Sequence, residues 1–130
     1  MDGGYDRLYI GFLRCFNLER DYYTCHDLME ELWLEEGRNP LFQGLLQAAV
    51  GLYHHDNGNY GGAVKLLEAA LSKLRLYPDL ILGIHLARFR SDIEAYLMRL
   101  QQAAEEQTSL APYEVTIRIT DPLLEELIRA

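Results

Sequence analysis

The sequence predicts an all-α fold: a compact bundle of antiparallel helical hairpins closed by a long fifth helix, with an extended C-terminal arm and a short last helix. Three observations predict it. Apolar residues recur at helical spacing through most of the chain. Clusters of Gly, Pro, Asn and Asp separate those stretches. Strand-type alternation is confined to the region after Tyr113. A chain of 130 residues suits one domain, with a helical part at about 6–106 and the arm and short helix at 107–130.

The first helix is expected from about Asp6 to Phe16, with Leu8, Phe12, Cys15 and Phe16 on one side, and Asn17 to Asp21 as a turn. Asp21 suits the cap of a second helix, Tyr22 to about Glu36, whose apolar face is Tyr22, Cys25, Leu28, Met29, Leu32 and Trp33. Gly37 to Pro40 breaks that pattern. The third helix, about Leu41 to His55, is apolar on most sides and reads as the buried central element. Asp56-Asn57-Gly58-Asn59 is a turn, and Asn59 suits the cap of a fourth helix that runs to about Leu76, before Pro78.

The fifth helix is expected from about Leu80 to Glu106, with Ile84, Ala87, Ile93, Tyr96, Leu97 and Leu100 facing inward. After it, Tyr113, Val115, Ile117 and Ile119 alternate with Glu114, Thr116, Arg118 and Thr120, a strand period. With no partner strand apparent in the chain, this arm is expected to lie extended or to pair with a second copy, giving a homo-oligomer. Asp121-Pro122 then caps a last helix carrying Leu123, Leu124, Leu127 and Ile128.

Charge narrows the partners. Twelve basic residues against twenty acidic ones leave a net charge of -8, and the lysines are Lys65 and Lys73 alone. Phosphate backbones need a basic face, so no nucleic acid partner is expected, and anionic membrane surfaces are disfavoured for the same reason. The opening Met1-Asp2-Gly3-Gly4 has no basic start followed by an apolar run, and Leu80 to Ala87 is too short to span a bilayer. Cys15 and Cys25 fall in helical pattern without Cys-x-x-Cys spacing, as expected for reduced, core-facing thiols in a cytoplasmic protein.

A shift of about 38 residues, the size of a helical repeat, lays the second helix on the fourth. Asp21-Tyr22 then meets Asn59-Tyr60, Cys25 meets Ala63, Leu28 meets Leu66, and Glu30 meets Glu68. In the second unit, Gly51, Gly58, Tyr60, Ala63, Leu67 and Ala70 are placed so that it resembles a tetratricopeptide repeat, in which small residues let two antiparallel helices approach closely. Arg75 stands where that motif favours Pro, and Gln47 where it favours Trp. Two units are too few for a solenoid.

The polar residues of the two central helices form stripes. Gln43, Gln47 and His54 lie within roughly 60° of one another at about 100° per residue. His26, Glu30 and Trp33 form a stripe bordering the apolar face of the second helix. Unpaired buried amides and imidazoles cost about 1–3 kcal/mol each, so these stripes must face something. If the two helices are neighbours, His26, Glu30, Gln47 and His54 converge at the edge of the core, joined by Asn59 at the following cap.

Phe16-Asn17, the run Tyr22 to Trp33, Gly44-Leu45-Leu46-Gln47, His54, Gly58-Asn59 and Gly62-Ala63 together resemble the domain-of-unknown-function 309 family of small bacterial and archaeal proteins. That family's pattern pairs a His-Glu-x-x-Glu-x-x-Trp helix with a Gln, a His and a Gly-Asn-x-x-Gly-Ala turn. The matching positions are His26, Glu30, Trp33, Gln47, His54, Asn59, Gly62 and Ala63, within about Phe16 to Leu71. Asp27 departs from the usual Glu and shortens any carboxylate there. The resemblance implies a helical bundle and supplies no activity.

Two functions are compatible with these residues. The first is a small helical binding module, with a polar site of His26, Glu30, Trp33, Gln47, His54 and Asn59 between the second and third helices. It would hold a protein, a peptide or a small polar ligand. The second is a metal-dependent hydrolase in which His26, Glu30 and His54 hold a divalent ion, with Glu31 or Asp27 as a fourth ligand. His26 to Glu30 is not the His-Glu-x-x-His of zinc proteases, and no nucleophile pattern or phosphate loop is present. A purely structural reading has Glu30 accepting from His54 or Gln47, and Trp33 donating its indole N–H to Glu30 or Gln47. His55 is expected to face solvent, and His85 to be a satisfied, half-buried residue of the fifth helix.

Overall fold

The computed structural model describes residues 3–130; Met1 and Asp2, on which the expectation about the N-terminus partly rests, lie outside them. The order of elements is α1 (Arg7–Arg14), a π-helical turn (Cys15–Glu19), α2 (Tyr22–Glu35), α3 (Pro40–Asp56), α4 (Tyr60–Leu74), β1 (Leu80–Ile81), β2 (Ile84–His85), α5 (Leu86–Glu105) and α6 (Pro122–Arg129). The fold is all-α, as predicted, and its two strands form only a small antiparallel hairpin. Among the described residues no helix is long and apolar enough to cross a membrane.

The caps expected from sequence are present. Asp21 Oδ1 accepts from Thr24 N at 3.1 Å, Asn59 Oδ1 from Gly62 N at 2.9 Å, and Asp121 Oδ1 from Leu123 N at 3.0 Å. Pro40 opens α3 instead of ending a turn, at a first helical position where its missing N–H has no helical partner.

The α3–α4 hairpin is the tightest part of the bundle. A Cβ on Gly44 would stand 2.8 Å from Leu74 Cδ2, and one on Gly51 2.8 Å from Leu67 Cδ2. Ala63 and Ala70 complete the narrow seam, both fully buried. α2 packs on the other side of α3, and α5 packs on α4. Phe12, Phe16, Met29, Leu45, Leu52, Phe89, Ile93 and Leu100 fill the space between them, with no side chain among them reaching solvent. Cys15 and Cys25 are buried and free, as the spacing predicts.

Three expectations are corrected. The first helix does not give way to a turn at Asn17. It widens into the π-helical turn, and the left-handed Arg20 (φ 57°) ends it. The extra residue keeps Phe16 in the core while Asn17 faces the C-terminal arm. Second, α5 does not begin at Leu80. Leu82 (φ 49°) and Gly83 (φ 76°) form a hairpin turn, the Tyr9 hydroxyl donates to Leu82 O at 2.9 Å, and the helix starts at Leu86. His85 is therefore a half-buried cap whose Nδ1 accepts from Arg88 N at 3.1 Å, one step outside the helix.

Third, the arm has its partner within the chain. Val115 and Ile117 are buried, Ile119 forms an antiparallel bridge with Ile84, and His85 N donates to Arg118 O at 2.8 Å. Asn17 and Arg20 hold its other side. The alternation seen in the sequence is real, but its inward face is covered by the π turn and the small hairpin. Beyond the arm, α6 returns to α1, where Arg14 donates from Nε to Ile128 O and from Nη2 to Leu127 O, both at 2.8 Å. These bonds satisfy carbonyls at the end of α6 that have no helical donor.

Candidate functional site

The start of α2 and the end of α3 lie side by side because the two helices run antiparallel from the turn at Gly37 and Arg38. Tyr22, Tyr23 and His26 project from the first turns of α2 at spacings of one and four, and Val50, Tyr53 and His54 from the last turns of α3 at spacings of three and four. Tyr22 with His26 and Val50 with His54, four apart, share a helix face, and Tyr23 and Tyr53, each three from one of them, flank it. These six side chains line a cavity of about 140 Å³. Its walls are largely rings: Tyr23 and Tyr53 have centroids 5.9 Å apart at 56°, and Tyr53 and His54 lie 6.4 Å apart at 52°. Larger clefts, of about 410 and 530 Å³, are open grooves elsewhere, along Tyr113 to Thr116 and between Tyr60 and Gln101, and contain none of these residues.

His26 and His54 thus open onto the same cavity. His26 is held between two carboxylates of its own helix, with Nδ1 3.3 Å from Asp27 Oδ1 and Nε2 3.3 Å from Glu30 Oε2. His54 Nδ1 lies 3.4 Å from Asn59 Nδ2. Asn59 thereby caps α4 with its oxygen and meets His54 with its nitrogen. Gly62 makes room for that arrangement, since a Cβ there would stand 2.5 Å from Asn59 Nδ2. The Gly-Asn-x-x-Gly-Ala segment is accordingly a tight cap: Gly58 supplies φ 76°, Gly62 clears the Asn, and Ala63 fits against α3.

Further along the α2–α3 seam the expected network is absent. Glu30 is paired with His26, not with His54 or Gln47. Trp33 Nε1 and Gln47 Oε1 are both buried without a hydrogen-bond partner, a donor on α2 and an acceptor on α3. Arg38 stacks its guanidinium 5.5 Å from the Trp33 ring centre. Nor do His26, Glu30 and His54 form a ligand set: among the described residues no three His, Cys, Asp or Glu side chains come together as a group able to hold a metal ion.

Burial pushes the Tyr22 hydroxyl above its ordinary value, and Asp56, the last residue of α3, acts in the same direction. Asp56 itself is pushed up by desolvation. Arg20 opposes the Tyr22 shift, but its guanidinium is committed to Val115 O, Thr116 Oγ1 and Glu114 in the arm. At the buried end of the same turn, Cys25 is raised by desolvation and is no nucleophile.

Reading the sequence by apolar face assigned Tyr22 to the core, counted Val50 and Tyr53 among the apolar residues of the buried third helix, and passed over Tyr23. The signal was present, as aromatic and His residues at helical spacing on each of two adjacent helices. His55 is the larger correction. It is 2 % exposed, not solvent-facing. Its Nε2 lies 2.8 Å from Leu110 O, which only accepts, so Nε2 carries the proton, and Nδ1 meets the Tyr96 hydroxyl. Tyr60 donates to Leu110 O at 2.9 Å and accepts from Leu110 N at 2.8 Å. His54 and His55 are adjacent in sequence, yet about 100° of helix rotation sends one to the cavity and the other into the core.

A family model described as "Domain of unknown function (DUF309)" matches residues 9–66, which include every cavity-lining side chain. The uncharacterized protein YpuF of Bacillus subtilis (strain 168) is 33% identical over 130 aligned residues, covering 96% of this chain and 71% of YpuF. An uncharacterized protein of Aquifex aeolicus (strain VF5) is 30% identical over 80 residues, 59% of this chain and 24% of that protein. No solved structure matches.

Proposed function

We propose that this chain, which belongs to the DUF309 family of domains of unknown function, is a small helical binding module whose ligand site is the α2–α3 cavity. The observation that carries the reading is the joint lining of one cavity by His26 and His54 with three tyrosine rings. Concave, largely apolar sites with a few convergent polar groups are where small molecules bind. The seam beside it supports the same reading. A helical scaffold gains nothing from burying an indole N–H and an amide oxygen without partners, at about 1–3 kcal/mol each.

The site's chemistry is that of recognition. His26 is tied to carboxylates, Cys25 is buried, and among the described residues no serine or cysteine is paired with a histidine as an activated nucleophile. The test is a thermal-shift screen of metabolites on the full chain, repeated on His54→Ala and Tyr53→Ala. A ligand at about 100 times its Kd adds about 2.7 kcal/mol of stability, which raises Tm by several degrees. The reading predicts compounds that stabilise the wild type and not the variants. If none does so at micromolar to millimolar concentrations, the binding role falls.

A further inference from the structure

We propose that the α2–α3 cavity takes the methylated ammonium head of a small organic cation, an assignment that rests on the binding role above. The walls are the first reason. Tyr22, Tyr23, Tyr53, His26 and His54 surround about 140 Å³, with Val50 as the aliphatic lining residue. Apolar cavities of about 150 Å³ hold a molecule of benzene's size, so a trimethylammonium group fits. Aromatic faces attract a cation within about 6 Å of the ring centre, more strongly as water is excluded. Tyr23 and Tyr53 meet at 56° and form a corner that presents two such rings to one occupant.

Charge is the second reason. Among the described residues no Lys or Arg lines the cavity. The carboxylates of Asp27 and Glu30 each stand 3.3 Å from a His26 ring nitrogen. Asp21 already fills the N-terminus of α2, taking Thr24 N at 3.1 Å and the Thr24 hydroxyl at 2.7 Å, so that end offers little to an anion. Asp56 closes α3 on the other side and acts on Tyr22. The whole chain carries -8. An anion placed here meets carboxylates, and the one guanidinium acting on the lining, Arg20 beside Tyr22, is committed to Val115 O, Thr116 Oγ1 and Glu114, whereas a cation is favoured by the rings and by the surrounding charge.

The test compares choline with 3,3-dimethylbutan-1-ol, its neutral counterpart of the same shape, by NMR titration of the full-length chain. The expected result is that choline moves the tyrosine and histidine resonances of the cavity, with about tenfold higher affinity than the neutral alcohol. Tyr23→Leu, at a ring 59% exposed and so tolerant of change, should remove most of that preference. Equal affinity for the two compounds overturns the cation assignment and leaves the binding role standing. If neither moves these resonances at up to about 20 mM, ample for groups of this size, the cation assignment fails, and the metabolite screen above decides the binding role separately.

Discussion

The carboxamide of Asn17 closes a two-bonded ring with the backbone of Ile117: Nδ2 donates to Ile117 O at 2.8 Å, and Ile117 N donates to Oδ1 at 2.9 Å. One side chain of the π turn thus imitates a neighbouring strand and satisfies both polar groups of a buried arm residue. Asn17→Ala is expected to cost about 2–4 kcal/mol, since each orphaned buried group costs about 1–3 kcal/mol. Denaturant unfolding measures the loss, and hydrogen exchange should show faster amide exchange at Ile117. An unchanged midpoint would mean the arm is held by burial of Val115 and Ile117 alone.

His55 fastens the segment after α5 in a comparable way, through Leu110 O and the Tyr96 hydroxyl. His55→Phe keeps the ring volume and removes both bonds, leaving the Tyr96 hydroxyl without its histidine partner. The expected cost is about 2–3 kcal/mol. Exchange at Leu110 should rise, while choline binding at the cavity stays within about twofold, because His55 faces away from it.

Two glycines give opposite signs for the same substitution. Gly61→Ala has open space for its Cβ and gains helix propensity, so it should stabilise by about 0.5–1 kcal/mol. Gly51→Ala gains the same propensity but drives a Cβ to 2.8 Å from Leu67, which is fully buried and cannot swing away. Overpacking costs about 1–3 kcal/mol, so the net effect should be a loss. Thermal melts of the two variants decide it. Two changes of the same sign would contradict the close α3–α4 contact.

Alkaline pH should unfold the protein. Cys15 is pushed up to about 12, first by burial and then by its bond to Glu19. Tyr9, Cys25 and Tyr96 are also raised, each chiefly by desolvation. In the native state these groups keep protons that the unfolded chain releases. Their stabilising contribution is therefore complete below the ordinary thiol value of 9.0, and it is lost as pH rises toward about 12. Urea midpoints should be flat to about pH 8 and fall above it. A thiol reagent at pH 8 should label neither cysteine until the chain unfolds.

Much of this molecule follows from local pattern. Apolar spacing places helices over Tyr22–Glu35, Pro40–Asp56 and Tyr60–Leu74 to within a residue or two, and Asp21, Asn59 and Asp121 mark the caps of α2, α4 and α6. Those features depend on neighbours within one or two turns, so the sequence carries them directly. It also puts His26 and His54 on polar stripes, whose meeting at one cavity depends on how the helices pack.

Only the tertiary structure decides what those faces contain. His55 differs from His54 by one step of rotation, and its burial depends on Tyr96 and Leu110, which stand far along the chain. Glu30 turns to His26 on its own helix, leaving Trp33 and Gln47 without the partners that spacing offered. The strand-like arm has an unmistakable period, but period names no partner. The side chain of Asn17 and the hairpin at Ile84 supply it. Helix formation is settled by hydrogen bonds four residues apart, whereas a cavity, a latch and a docked arm are settled by which distant surfaces share the same space.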